Sequence, residues 1–540
     1  MKKSNLDLLL VNPSHTNVYQ DSQEELRYPA LEPPYLAALT AEFIRKRGFS
    51  VEILDANALG LNESQAAEEV EKRNPLLTQV VVHGNQPSAS SQLMQWVIDF
   101  GRNVKLDSFT RILLTGTHPS ALPSMTLEER AFDFVARGEG FSTPLGLLES
   151  GLKQEEFQKI HGLWYKEGEK ILRGLPEKLM SSDELSREFP KAAWDLLPIE
   201  KYRAHDWHGL GEESRQPYAA IYTSFGCPFD CHFCCINAPF DEDGDIKHGI
   251  RFRNSKDVAD EIEFLVGEHS MKNLKIIDEM FVLNRKHYLG LANELIERGL
   301  GDQLNIWAYA RVDTIKEQSL DILKRAGFNW LALGIESGSD HVRNGVEKGG
   351  RFGFEEIERN VRRVQSKGIN VVGNFIFGLP DDNEQTMQET LDFALELNCE
   401  RPNFYSAMAY PGSALHRLAR NTSWILKEGG MGAYEDFYES HPESILPIPK
   451  DWDYQRPILP EESWGPGWVG YSQHAYQTWP LPTGHIHPRV VLDFRDNSLE
   501  TAFNDKGYKK MLGRKFGEKT TEVFCEINSQ KPKRMIYSFD

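Results

Sequence analysis

Ser224-Phe225-Gly226-Cys227-Pro228-Phe229-Asp230-Cys231-His232-Phe233-Cys234-Cys235 directly follows a short β-like run, Tyr218-Ala219-Ala220-Ile221-Tyr222-Thr223. The C-x3-C-x2-C spacing puts three thiolates, Cys227, Cys231 and Cys234, on one loop, the ligand number for three corners of a cuboidal iron–sulfur cluster. The fourth iron then has no protein ligand. It can bind a small molecule through nitrogen and oxygen and pass it an electron, which a cluster closed by four thiolates cannot do directly. A zinc knuckle is the alternative, with Cys235 or His232 as fourth ligand. Sequence-adjacent ligands chelate one ion awkwardly, however, and no second C-x2-C pair lies elsewhere in the chain.

Outward from this loop, strand-like runs recur at 219–223, 273–277, 304–310, 330–335, 370–377 and 403–408, with helical periodicity between them, for example from Asp257 to Val266 and from His287 to Arg298. Six βα units over residues 216–410 suit a partial barrel, in which functional groups sit at the C-terminal ends of the strands. The cysteine loop follows the first strand. The later ends carry Ile277-Asp278-Glu279-Met280-Phe281, then Tyr309-Ala310-Arg311-Val312-Asp313, then Gly334-Ile335-Glu336-Ser337-Gly338-Ser339, then Asn374-Phe375-Ile376-Phe377-Gly378-Leu379-Pro380. Each is weak alone, and the plainer reading of Glu336 or Arg311 is as part of a surface ion pair, the lesser of the two. Their order along one barrel is the stronger signal.

Residues 1–150 alternate short apolar runs with helical patterns: Leu8-Leu9-Leu10-Val11, Val51-Glu52-Ile53-Leu54, Val80-Val81-Val82, Ile112-Leu113-Leu114 and Phe132-Asp133-Phe134-Val135. This predicts a doubly wound parallel sheet, whose ligands lie beyond the C-terminal strand ends. Those ends are Asn12-Pro13-Ser14, Asp55-Ala56-Asn57, His83-Gly84-Asn85-Gln86-Pro87-Ser88, Gly116-Thr117-His118-Pro119-Ser120 and Gly138-Glu139-Gly140. Small hydrogen-bonding residues there would let backbone approach a large flat ligand; ordinary turn chemistry uses the same residues.

The cysteine loop and the ordered strand ends resemble the radical S-adenosylmethionine (SAM) superfamily, and the N-terminal strand ends resemble the cobalamin-binding domain of its B12-dependent branch. The resemblance covers residues 1–410, and the cysteine motif carries most of its specificity. It implies a [4Fe-4S] cluster on Cys227, Cys231 and Cys234, with SAM chelated by the open iron. Asp278 and Glu279 would meet the SAM amino group, and Arg311 would balance its carboxylate or a neighbouring acid. Glu336 and Ser337 would meet the ribose, and Gly378 would let adenine pack on backbone. Cobalamin would contact Asn12, Asp55, Gly84, Asn85, Ser88, Gly116, His118, Ser120, Gly138 and Glu139. The Asp-x-His-x-x-Gly loop of other cobalamin domains is missing, so His118 is not assigned as a cobalt ligand.

Residues 151–215 read as a connector, with a hairpin-like Gly162-Leu163-Trp164-Tyr165-Lys166 and then Trp194-Asp195-Leu196-Leu197-Pro198, packing two domains face to face. The extension 411–540 is rich in aromatics, Gly and Pro between Trp464 and Thr483, and would be α-rich or irregular. In relatives of the same domain order this region covers the barrel mouth, which makes Tyr471, Gln473, His474 and Tyr476 candidates for substrate contact. A satellite core uses the same residue types.

The chain has 540 residues, room for more than one domain, and its 61 Lys+Arg against 80 Asp+Glu give a net charge of -19. A sequence-independent grip on nucleic-acid phosphates is excluded on charge. Four of the six cysteines fall between Cys227 and Cys235, a cytosolic metalloprotein's usage and not that of a disulfide framework. No apolar run approaches the ~18 residues of a membrane span, and the opening apolar run reads as a first strand rather than a signal peptide, so the expected location is the cytoplasm.

The resemblance implies a C-methyltransferase acting on a small molecule. Cobalamin takes a methyl group from one SAM, and a 5'-deoxyadenosyl radical from a second SAM takes hydrogen from an unactivated carbon, which then receives the methyl. An external flavodoxin- or ferredoxin-type donor would supply electrons. The alternatives are a relative that cyclises, contracts a ring or rearranges without methyl transfer, and a cobalamin-binding sensor or carrier, which would have no need of a SAM-cleaving cluster. A tRNA methylthiotransferase would bring a second cluster on N-terminal cysteines and a basic RNA-binding tail, whereas no cysteine precedes Cys227 and the chain as a whole is acidic.

Overall fold

The computed structural model describes residues 6–14, 30–84, 86–107, 110–212, 214–240, 249–346, 352–449, 452–453, 456–464 and 480–531. Five strands, β1 (Leu6–Asn12), β2 (Val51–Asp55), β3 (Pro75–Val81), β4 (Arg111–Thr115) and β5 (Phe134–Ala136), lie parallel in the order β2-β1-β3-β4-β5. Strand alternation sends Leu8, Leu10, Leu77 and Leu113 into one core and Leu9, Val11, Val80 and Leu114 into another, so both faces must be covered by helices. The strand order reverses between β1 and β3, and the crevice at that switch point is where such sheets bind ligands.

Two antiparallel strands, β6 (Leu163–Glu167) and β7 (Lys170–Arg173), extend the same sheet beyond β5. The hairpin expected in the connector is thus part of the first sheet. The rest of the connector is core. Trp194 and Tyr202 are buried, and Trp207 packs edge-on against Trp307 and Trp330, with ring centroids 5.1 and 5.2 Å away.

The second sheet holds β8 (Tyr218–Ile221), β11 (Asn273–Ile276), β12 (Asn305–Arg311), β13 (Phe328–Glu336), β14 (Asn370–Phe377) and β15 (Arg401–Ser406), all parallel and in sequence order. A small ladder of β9 (Ser224–Phe225) and β10 (Arg251–Phe252) sits beside it. β8 and β15 are edges, so the barrel is partial. In the C-terminal extension the helix Pro488–Asn504 covers the β15 side, where Arg495 donates to the Phe404 carbonyl at 2.8 Å, and Lys515 of the next helix, Lys506–Phe516, reaches Glu400 at 2.6 Å. Leu481 N donates to the Ala407 carbonyl, and the Thr483 hydroxyl to that of Asp382, so this stretch crosses the ends of β14 and β15. Tyr471, Gln473, His474 and Tyr476 lie outside the described residues.

The domains are joined by a fully buried polar centre. Arg253 satisfies all five guanidinium donors: Nε to the Phe189 carbonyl, Nη1 to Tyr35 Oη and the Tyr222 carbonyl, Nη2 to the Pro190 carbonyl and Glu261 Oε2. Glu261 accepts in addition from Tyr35 Oη, Ala192 N and Trp194 Nε1. One guanidinium therefore ties the first sheet's leading helix, the connector and the barrel together.

At the barrel floor, His208 exchanges hydrogen bonds with Asn305, Nε2 to its carbonyl and Asn305 Nδ2 to the His208 carbonyl, both 2.9 Å. Burial pushes its ring down to about 3 from an ordinary 6.5, against the opposing pull of the Asn305 carbonyl. Because the folded value lies below the unfolded one, the unfolded chain binds more protons between them. Stability is complete above pH 6.5 and falls by about 1.4 kcal/mol per pH unit below it from this residue alone. His208→Gln is expected to flatten the urea midpoint's fall between pH 6.5 and 4; an unchanged slope would contradict this assignment.

Candidate active site at the domain junction

The cysteine loop leaves β8 through Thr223 and Ser224, and Asp278 at the end of β11 holds both. It accepts from Thr223 N at 2.6 Å, Thr223 Oγ1 and Ser224 Oγ at 2.6 Å. Gly226 turns with φ 85°, and a Cβ there would overlap the Gly249 carbonyl, so the close β9–β10 approach requires glycine. Further on, His232 N donates to Val346 O at 3.2 Å, Leu415 N to His232 O at 3.0 Å, and Asn237 Nδ2 to Phe229 O at 3.1 Å. The loop is therefore pinned at both ends and in the middle.

Cys227 is buried, while Cys231 and Cys234 are half-buried. Arg311 stands over the Phe229 ring at 4.1 Å with Nη1 4.0 Å from Cys231 Sγ, oriented by two bonds to Asp313. A fixed cation favours anionic sulfur. Among the described residues no three His, Cys, Asp or Glu side chains converge as the ligands of one metal ion would. Three thiols on a pinned loop beside a guanidinium fit a cluster, which takes one thiolate per iron.

Two adjoining compartments open between the sheets and share Ile277. The first is walled by Asn12, Glu32, Tyr35, Asn57, His83, Gly84 and Tyr222, at the switch point of the first sheet. The second is walled by Gln86, Pro87 and Ser88 from the first sheet and by Cys234, Cys235, Glu279 and Tyr309 from the barrel. Burial pushes the Glu279 carboxyl up to about 8, opposed by Lys275 and reinforced by Asp278. Burial likewise pushes the Cys235 thiol up to about 12, and its side chain packs in the second core with Ala121, Met408 and Tyr410. Cys235 is thus a junction residue beside the loop.

Of the expected residues, Asn12, Gly84, Ser88, Cys234 and Glu279 come together at this crevice. Several others have different employment. Asp278 spends its oxygens on the loop. Asp55 accepts from Asn12 Nδ2, Tyr202 Oη and Ala58 N, so it caps a helix and anchors the connector. Gly116 is required because a Cβ would overlap the Val82 carbonyl, and Gly138 because Glu177 Cγ would lie 2.5 Å away; neither glycine clears space for a ligand. His118 is buried, hydrogen-bonded through Nδ1 to Ser91 Oγ at 2.8 Å, and pushed down to about 3 by burial and then by His416. It closes the turn.

Ser120 accepts from Gly138 N and donates to the Ala136 carbonyl. Glu139 pairs with both terminal nitrogens of Arg251, the Oε2 to Nη1 distance being 3.0 Å. Ser337 bonds Thr390 Oγ1 at 3.0 Å. A Cβ on Gly378 would lie 2.5 Å from Val491 Cγ1, so its glycine admits the C-terminal helix. Glu336 sits at a register slip between β13 and β14 with φ 67°, a strained backbone at the strand end. Asn85 lies outside the described residues. Sequence reasoning missed Glu32, Lys275, Tyr222 and Tyr309. Lys275 did leave a signal, as a lone cation inside the apolar run Leu274-Lys275-Ile276-Ile277.

Comparison with known proteins defines the class first: residues 221–394 match the Radical SAM superfamily, so the chain carries a radical SAM domain. Within that class, its two-domain fold is the one seen in cobalamin-dependent members. The radical SAM methyltransferase TsrM from Kitasatospora setae, solved with cobalamin and a [4Fe-4S] cluster, superposes with a TM-score of 0.61 at 18% identity, covering 97% of this chain and 100% of that one. In sequence the chain is 28% identical to an uncharacterized methyltransferase of Pyrococcus horikoshii, over 73% of this chain and 80% of that protein. It is 26% identical to the anaerobic magnesium-protoporphyrin IX monomethyl ester cyclase of Rubrivivax gelatinosus over 71% of this chain, and spans 65% of the cyclase's length. No helix among the described residues is long and apolar enough to cross a membrane.

Proposed function

We propose that this chain is a cobalamin-dependent radical SAM C-methyltransferase acting on an unactivated carbon of a small molecule, in the cytoplasm, with electrons from a flavodoxin- or ferredoxin-type donor. The observation that carries the proposal is the meeting of the cysteine loop and the first sheet's switch point in one crevice. When bound, the cluster and the corrin supply reductive SAM cleavage and methyl transfer, chemistry that no side chain provides. Cys227, Cys231 and Cys234 would hold the cluster, and Asn12, Gly84 and Ser88 would line the corrin side.

The chain's own work is placement and exclusion. Glu279, whose carboxyl burial pushes up, would hydrogen-bond the SAM amino acid end. Arg311 offsets thiolate charge at Cys231. Ile277, Tyr309 and Cys235 wall the space between the two sides and keep water from a radical. A substrate carbon between them would face both sides at once.

Cyclisation without methyl transfer is the second reading, favoured by the likeness to the cyclase. Anaerobic incubation of the reconstituted protein with cobalamin, methyl-deuterated SAM and a strong reductant separates the two. S-adenosylhomocysteine and 5'-deoxyadenosine forming together, with label on the corrin, is the expected result. 5'-Deoxyadenosine alone would favour the cyclase-like chemistry.

A further inference from the structure

The ion pair between Glu32 and Lys275 has no task in the chemistry above, and it is buried. Lys275 Nζ lies 3.0 Å from each Glu32 oxygen, and Tyr218 Oη donates to Oε1 at 3.2 Å. The side chains are 2% and 5% exposed. Lys275 stands in mid β11 on the face of Tyr218 and the Trp307 ring, whose centroid is 4.9 Å away. Glu32 is not a barrel residue. Its neighbour Leu31 pairs with Arg203 of the connector through two backbone bonds of 2.9 and 3.1 Å. Pro33 and Pro34 then lead into the helix Tyr35–Arg45, which packs against the first sheet. A carboxylate from one domain therefore enters the other beside the edge strand β8.

Stability does not account for this arrangement. Desolvating two charges costs about what their attraction returns, and well-packed apolar residues often do as well or better. What the pair adds is register, because one carboxylate and one ammonium bond in only one alignment. Its position shows which alignment is set. Glu32 walls the switch-point compartment with Asn12 and Gly84, and Lys275 lies two residues before Ile277, the residue shared by both compartments.

We propose that Glu32 and Lys275 are a positioning pair that fixes the first sheet on the barrel, so that the corrin side and the SAM side of the crevice face each other at the separation methyl transfer needs. This rests on the functional reading above. The Arg253 centre and the Glu139–Arg251 pair hold the domains together independently, so loss of the Glu32–Lys275 pair shifts alignment without parting them.

The experiment uses the full chain with cluster and cobalamin restored, and SAM as the only substrate. In Lys275→Met, 5'-deoxyadenosine formation is expected to stay within about three-fold of wild type while methyl transfer from SAM to reduced cobalamin falls about ten-fold or more. The electron paramagnetic resonance signal of cob(II)alamin beside the reduced cluster should show altered coupling. Glu32→Leu with Lys275→Met should restore the thermal midpoint but not the methyl transfer, and the swap Glu32→Lys with Lys275→Glu should recover part of it. If the double apolar variant restores both, the pair only packs and the proposal is overturned. It is equally overturned, alone, if wild type methylates cobalamin and Lys275→Met does so as fast with unchanged coupling. Wild-type protein that retains no cobalamin overturns the functional reading and this proposal with it.

Discussion

Cys231→Ala is expected to abolish SAM cleavage, with 5'-deoxyadenosine formation falling by at least about a thousand-fold, because a loop with two thiolates would not retain a cluster whose open iron must chelate SAM. Cys231 is half-buried on a loop whose backbone is pinned by Val346, Leu415 and Asp278, so the loss is chemical and not structural. The thermal midpoint of the metal-free protein should stay within a few degrees of wild type. Cys235→Ala is the contrast. Its thiol is buried in the core that also holds Met408 and Tyr410, and SAM cleavage should persist. Cleavage by Cys231→Ala at near wild-type rate would mean that some other residue completes the ligand set.

Arg253→Met carries the largest expected cost in stability, about 3–5 kcal/mol, because it strands the Glu261 carboxylate with both side chains at 0% exposure. Five hydrogen bonds to three parts of the molecule go with it. Pairing Arg253→Met with Glu261→Gln removes the stranded charge and should return part of the loss, read as the denaturant midpoint of the single and double variants. A single variant as stable as wild type would show that the centre is not what joins the domains.

The fold was legible because its signals are local. Five apolar runs separated by helical patterns give a parallel sheet whatever the ligand, and the order of strand-end motifs marks a barrel. The cysteine loop was equally legible, since ligand spacing within one loop needs no tertiary information. Residues whose roles depend on distant partners were not. Gly116, Gly138 and Gly378 look alike in sequence, as glycines at strand ends. Only the fold reveals that a Cβ on them would meet Val82, Glu177 and Val491. Asp55 and Glu139 stand where ligand contacts belong, yet Tyr202 and Arg251, from 147 and 112 residues further on, engage them. Lys275 was the converse case, a charge inside a strand that made sense only with Glu32, 243 residues away.

Whether a cluster and a corrin both bind in the crevice between the two sheets is read from iron, sulfide and cobalt per chain after anaerobic reconstitution and gel filtration. The wild-type protein and the variant with Cys227, Cys231 and Cys234 all changed to alanine would be compared. About four irons, four sulfides and one cobalt are expected in the wild type, and cobalt without iron in the variant. Wild-type protein that emerges with its iron but without cobalt would contradict that expectation.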